Sequence, residues 1–244
     1  MLEFRDVTFK YDGLLVLDEL SLKVSATEFV CLLGPSGSGK TTIVNLAAGF
    51  LLPATGEVNF ESAVVTGPSS ERVVVFQEDG LFPWFTVSEN ATFGARATGE
   101  EYHSASRSAG ALLAKAGLSG FEKAFPRQLS GGMKKRTELV RAFASKSKML
   151  LLDEPFGSLD VSTRQRMRHL FESLWLERQK CVLMVTHDPE EALLLADRVI
   201  ILSPRPGRVV GEVIVPWKRP RAPEMKFEES FLQRRRELEF LVES

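Results

Sequence analysis

Phe29-Val30-Cys31-Leu32-Leu33-Gly34-Pro35-Ser36-Gly37-Ser38-Gly39-Lys40-Thr41-Thr42 decides the fold. Five apolar residues run into a glycine-rich loop, and a helical pattern from Thr41 to Phe50 follows. Gly34 to Thr41 fits G-x-x-x-x-G-K-[ST]. Glycines let the backbone wrap closely, so successive N–H groups can point at phosphate oxygens. The helix N-terminus adds positive partial charge. In this pattern Lys40 reaches the β- and γ-phosphates and Thr41 offers its hydroxyl to Mg²⁺. The other reading, an ordinary glycine turn, leaves the strand–loop–helix context unexplained.

The surrounding chain supports a sheet built around that strand. Leu2 to Gly13 and Leu15 to Val24 alternate apolar and polar residues across an Asp12-Gly13 turn, as half-buried antiparallel strands do. Apolar runs at Val73 to Phe76, Met149 to Leu152, Cys181 to Val185 and Val199 to Leu202 read as buried strands, mostly separated by helical patterns. From about Pro83 to Arg127 the rhythm breaks into helix. The expectation is an α/β, P-loop NTPase core with an antiparallel β subdomain and an inserted α-helical subdomain at about 83–135, together spanning 1–215. Residues 216–244 read as a Pro-rich link, PWKRPRAP, followed by an amphipathic helix.

Met149-Leu150-Leu151-Leu152-Asp153-Glu154 ends a buried strand on two carboxylates. Asp153 then reaches the sheet edge, where it can bind Mg²⁺ or its water. Glu154 follows at the chain's exit, placed to accept a proton from an attacking water. The bulk composition adds exclusions. The 31 Lys+Arg and 32 Asp+Glu give a formal charge of −1, which offers no electrostatic case for nucleic acid. Cys31 and Cys181 lie singly in apolar runs, suiting buried thiols in a reducing compartment rather than a metal site. The N-terminus lacks a secretory profile, and no segment approaches the roughly 20 apolar residues of a membrane span.

Leu129-Ser130-Gly131-Gly132-Met133-Lys134-Lys135-Arg136 supplies a second anion site. Ser130 suits a helix N-cap, and the paired glycines leave backbone amides uncovered. The phosphate loop does not use it, so two copies of the chain sandwiching a nucleotide would. At this point the chain resembles, over nearly its whole length, the ATP-binding cassette ATPases. The resemblance implies ATP and Mg²⁺ as cofactors and further roles for single residues. Tyr11 stands where an aromatic stacks on adenine; Gln77 matches a glutamine touching Mg²⁺ and water. Gly157-Ser158-Leu159-Asp160 resembles a loop crossing the dimer interface, and His187 matches a histidine contacting the γ-phosphate. Plain alternatives remain: Tyr11 covering a hairpin end, Gln77 capping a strand, and Asp160 or His187 starting a helix. His103 and His169 read as surface residues. Met133, Lys135 and Thr137-Glu138 depart from the family's usual glutamines and small apolar pair, which bears on how the signature helix packs.

Without a span of its own, the chain resembles a separate ATPase subunit that works as a homodimer under transmembrane permease subunits. That places it peripherally on the cytoplasmic face of the inner membrane, with a periplasmic or extracellular solute-binding protein acting indirectly. Gln77-Glu78-Asp79-Gly80-Leu81-Phe82-Pro83-Trp84 resembles the permease-docking region; Phe82, Trp84 and Phe85 either line that groove or fill the helical core. Leu202-Ser203-Pro204-Arg205-Pro206-Gly207-Arg208 resembles the branch serving nitrate, sulfonate or taurine importers. An exporter's ATPase subunit, a cassette ATPase outside transport and a non-hydrolysing regulatory module are the alternatives.

Overall fold

The computed structural model describes every residue except Glu78, Asp79, Ser158 and Ser244. The expected roles of Glu78 and Asp79 in docking, and of Ser158 at a dimer interface, therefore lie outside the described residues. Strands β1 (Leu2–Tyr11) and β2 (Leu14–Val24) form the expected hairpin. Asp12 and Gly13 both take positive φ (46° and 86°), which the tight turn requires. β3 (Phe29–Leu33), the phosphate loop and α1 (Lys40–Ala48) follow, with Gly39 at φ 90° entering the helix and Gly49 at φ 82° ending it. Next come β4 (Thr55–Phe60), β5 (Ala63–Val64) and β6 (Arg72–Val75), then α2 (Val87–Ala97) and α3 (Tyr102–Lys115). Thr86 and Glu89 start α2 with a reciprocal capping box. α4 (Gly131–Ala144), β7 (Met149–Asp153), α5 (Val161–Arg178), β8 (Cys181–Thr186), α6 (Pro189–Leu195), β9 (Arg198–Leu202), β10 (Val209–Ile214) and α7 (Glu229–Glu243) complete the order.

A six-stranded sheet runs β10-β9-β3-β8-β7-β6, and a four-stranded antiparallel sheet runs β2-β1-β4-β5. All pairings in the larger sheet are parallel except the edge pair β9–β10. Alternating residues of β3 feed two cores. Phe29, Cys31 and Leu33 face the helices and Phe171, while Val30 and Leu32 face α1 and the antiparallel sheet. Both thiols are buried and unpaired, and burial pushes each above its ordinary range, to about 12 for Cys181.

The segment after Pro216, expected as an extended link and helix, is knitted into the main core. Phe231 and Leu238 are wholly buried, and Trp217 stacks on Phe231. Arg219 lies 4.5 Å over the Trp175 ring and pairs with Asp197 at 2.7 Å. Arg221, 4% exposed, donates to the carbonyls of Leu193 and Ala196 at the end of α6. Its guanidinium replaces the partners that a helix C-terminus otherwise lacks.

Candidate functional site

The parallel strands all point their C-terminal ends to one edge, the place where open α/β sheets bind ligands. β3 delivers the loop Gly34-Pro35-Ser36-Gly37-Ser38-Gly39 and then Lys40. The Lys40 ammonium donates to the carbonyls of Gly34 (2.8 Å) and Pro35 (2.9 Å). Burial pushes its pKa down, and the carboxylates of Glu154 and Asp153 push back. β7 ends in Asp153, whose Oδ1 accepts from the Thr41 hydroxyl at 3.3 Å. Burial raises the Asp153 pKa, and the Thr41 hydrogen bond opposes that shift.

One residue on, Glu154 takes φ 45°, an uncommon left-handed conformation for a side-chain-bearing residue. Its N–H is held by the Val185 carbonyl of the neighbouring strand at 3.1 Å. The bend brings Glu154 Oε2 to 3.2 Å from Nδ1 of His187, which follows β8. Gln77, beyond β6, joins the same corner. A Cβ built on Gly157 would stand 3.4 Å from both the Gln77 amide nitrogen and Glu154 Oε2. Behind His187, the Thr186 hydroxyl donates to Glu191 at 2.6 Å and accepts from the Asp188 N–H.

A groove of about 360 Å³ runs over this edge, lined by Tyr11, Val16, Lys40, Thr41, Thr42 and Glu154 among others. Tyr11 is 44% exposed, with its ring edge-on to Phe9 at 4.8 Å. The second expected anion site lies apart. Ser130 caps α4 by accepting from the Met133 N–H, while Gly131 and Gly132 open the helix. Ser130 and Gly132 border a separate hollow of about 830 Å³ with Asp160, Thr163 and Arg166. Among the described residues, none lines both grooves. Asp160 caps α5, and hydrogen bonds from Thr163 and Ser162 hold its carboxyl far below the usual range.

The model of the ABC transporter family matches residues 17–157. The chain belongs to that family. It is similar to the taurine import ATP-binding protein TauB of Yersinia pestis bv. Antiqua, with 44% identity over 210 residues, 86% of this chain and 82% of that protein. The nitrate import ATP-binding protein NrtD of Synechocystis sp. is 42% identical over 206 residues, 84% of this chain and 77% of that protein. A dimeric structure of a post-hydrolysis state of the ATP-binding cassette MJ0796, bound to ADP and Pi, superposes with a TM-score of 0.72 at 28% identity. It covers 89% of this chain and 100% of that one.

Within this cassette the departures at 135 and 138 prove to be one feature. Lys135 and Glu138 lie one turn apart on α4 and pair at 2.9 Å, with side chains 4% and 2% exposed. The Lys135 ammonium also donates to the Phe76 carbonyl at 2.6 Å, next to Gln77. Arg141, one further turn along, reaches Glu138 at 3.9 Å and donates to the Gly80 carbonyl at 2.7 Å. α4 thereby holds the Phe76 carbonyl, next to Gln77, and the Gly80 carbonyl. A pairing spread over i and i+3 is visible only once α4 is known to bury that face.

Phe82 and Phe76 line an apolar groove of about 350 Å³ with Phe93 and Arg141. Trp84, 66% exposed, and Phe85 pack around Phe82 without lining it. His103 and His169 are exposed, away from the site. Arg205 also lines the groove over the phosphate loop; in sequence it stands out only as part of the phrase Leu202 to Arg208.

Proposed function

We propose that this chain is the ATP-hydrolysing subunit of an ABC importer. It would act as a homodimer on transmembrane permease subunits to drive uptake of a small solute such as taurine, nitrate or a sulfonate. The names of TauB and NrtD support the import reading, and the separation of the two half-sites supports the dimer. No helix among the described residues is long and apolar enough to cross a membrane. A periplasmic or extracellular solute-binding protein would deliver cargo to that permease. In this reading the chain would attach peripherally at the cytoplasmic face of the membrane.

The carrying observation is the Glu154–His187 contact of 3.2 Å at the mouth of the phosphate loop. In our reading Tyr11 stacks on adenine and the loop amides, Lys40 and Thr42 hold the phosphates. Ser130, Gly131 and Gly132 of a second copy close over the γ-phosphate, with Asp160 at the dimer seam. The Thr41 hydroxyl and Asp153 carboxylate converge from two elements, and Gln77 stands nearby: hard oxygen donors, few in number, as Mg²⁺ prefers. Bound there, Mg²⁺ would neutralise phosphate charge. Glu154 takes a proton from water as the water oxygen bonds to Pγ. The bond from Pγ to the bridging oxygen breaks, and ADP leaves with that electron pair. His187 fixes the Glu154 carboxylate and the γ-phosphate. Catalysis is then electrostatic positioning more than covalent chemistry.

Glu154→Gln tests this. Phosphate release should fall at least about a hundredfold, within the range that general-base catalysis contributes. ATP should still bind and should accumulate a dimer on size exclusion. Turnover at the wild-type rate removes Glu154 from the role.

A further inference from the structure

β9 is the remaining parallel strand whose C-terminal end has no assigned task. β3 ends in the phosphate loop, β6 before Gln77, β7 in Asp153 and β8 before His187. β9 lies directly beside β3 and ends at Leu202, so Ser203 to Gly207 emerges next to the phosphate loop.

That loop is tied down along its length. The Gly207 N–H donates to the Val16 carbonyl at 2.8 Å, and the Gly207 carbonyl accepts from the Asp18 N–H at 3.3 Å. Arg208 pairs with Asp18, and the Ser203 hydroxyl donates to the Pro206 carbonyl at 2.9 Å. Gly207 presses on the phosphate loop itself: a Cβ there would stand 2.1 Å from the Ser38 carbonyl oxygen. Only glycine tolerates such an approach. The loop is thus bound on one side to β2 at Val16 to Asp18 and on the other to Ser38. Arg205 is carried into the groove that Tyr11, Leu14 and Val16 also line. The phosphate loop from Ser36 to Thr42 lines the same groove, so base and phosphate contacts must be told apart by experiment.

We propose that Arg205 binds the purine base of the nucleotide, its planar guanidinium bracketing the ring together with Tyr11. A flat cation and an aromatic ring lining one groove suit a π-face, which attracts guanidinium by stacking and by cation–π contact. The loop's anchoring fixes the backbone that carries Arg205, so the ordering cost on binding is confined to the side chain itself. The inference rests on the proposed reading of the groove as the ATP site.

Equilibrium binding of ATP and of tripolyphosphate, which has no base, separates the possibilities in the full-length chain. Arg205→Ala should weaken ATP binding about five- to tenfold, the range of a partly desolvated cation–π contact. Tripolyphosphate binding should stay within twofold, and the thermal midpoint should not move because Arg205 is exposed. Lys40→Ala is the control and should weaken both ligands. Unchanged ATP affinity in Arg205→Ala, with Lys40→Ala impaired, overturns the inference alone. Equal loss of ATP and tripolyphosphate also overturns it, since Arg205 would then be a phosphate contact. If Lys40→Ala binds both ligands normally, the ATP-site reading itself fails.

Discussion

Replacing Lys135 by glutamine while leaving Glu138 in place puts a number on the buried pair. Lys135→Gln keeps a donor for the Phe76 carbonyl but leaves the Glu138 carboxylate, 2% exposed, without its cation at 2.9 Å. Breaking a buried pair from one side costs about 3–5 kcal/mol. Arg141 at 3.9 Å still offsets part of the charge, so about 2–3 kcal/mol is expected. For a chain of this size that is a fall of about 5–10 °C in the thermal midpoint. Glu138→Ala should cost a similar amount, because it strands the Lys135 ammonium. The double variant Lys135→Gln/Glu138→Ala removes both charges and should return to within about 1 kcal/mol of wild type. Urea unfolding of the four proteins then gives a coupling energy of roughly 2 kcal/mol or more. Additive losses, with the double variant the least stable, would refute the reasoning.

Other expectations follow from the same geometry. Burial lifts the Glu191 carboxyl from its ordinary 4.5 to about 7. Its folded form therefore favours the proton, and the stability it confers below pH 4.5 is lost as pH rises through about 7. That loss is about 3 kcal/mol at ~1.4 per unit. Glu191→Gln should remove this dependence and gain on wild type between pH 5 and pH 8 in urea melts; parallel pH profiles would count against it. Ser130→Ala removes the α4 cap and should cost about 1 kcal/mol in the same melts. In that variant the monomer's ATP affinity should hold, because Ser130 lies outside the groove of the phosphate loop. A weakened monomer affinity would contradict the division into two half-sites.

Much of this site could be read from the chain because its parts are contiguous. Gly34 to Thr42, Leu152 to Glu154 and Ser130 to Gly132 each carry their chemistry within a few residues. Each also sits at a strand end or helix start that local patterning marks. The hairpin, the apolar strands and the helices between β6 and β7 were legible for the same reason. The C-terminal segment was harder. Arg219, Arg221, Arg234 and Arg235 carry charge that sequence alone would leave to solvent, yet Arg221 is 4% exposed and caps α6. A buried arginine is intelligible only when the carbonyls it serves are in place.

What the sequence determined by itself was a strand feeding a phosphate loop, an acidic strand end and a serine-glycine helix start. These features depend on backbone freedom and residue spacing. Only the tertiary structure decided which residues meet. The order β9-β3-β8-β7-β6 sets Arg205 against Tyr11's groove, His187 against Glu154, and Gln77 beside both. Parallel pairing brings strand ends side by side whatever the length of chain between them, so no local pattern in the sequence announces their company.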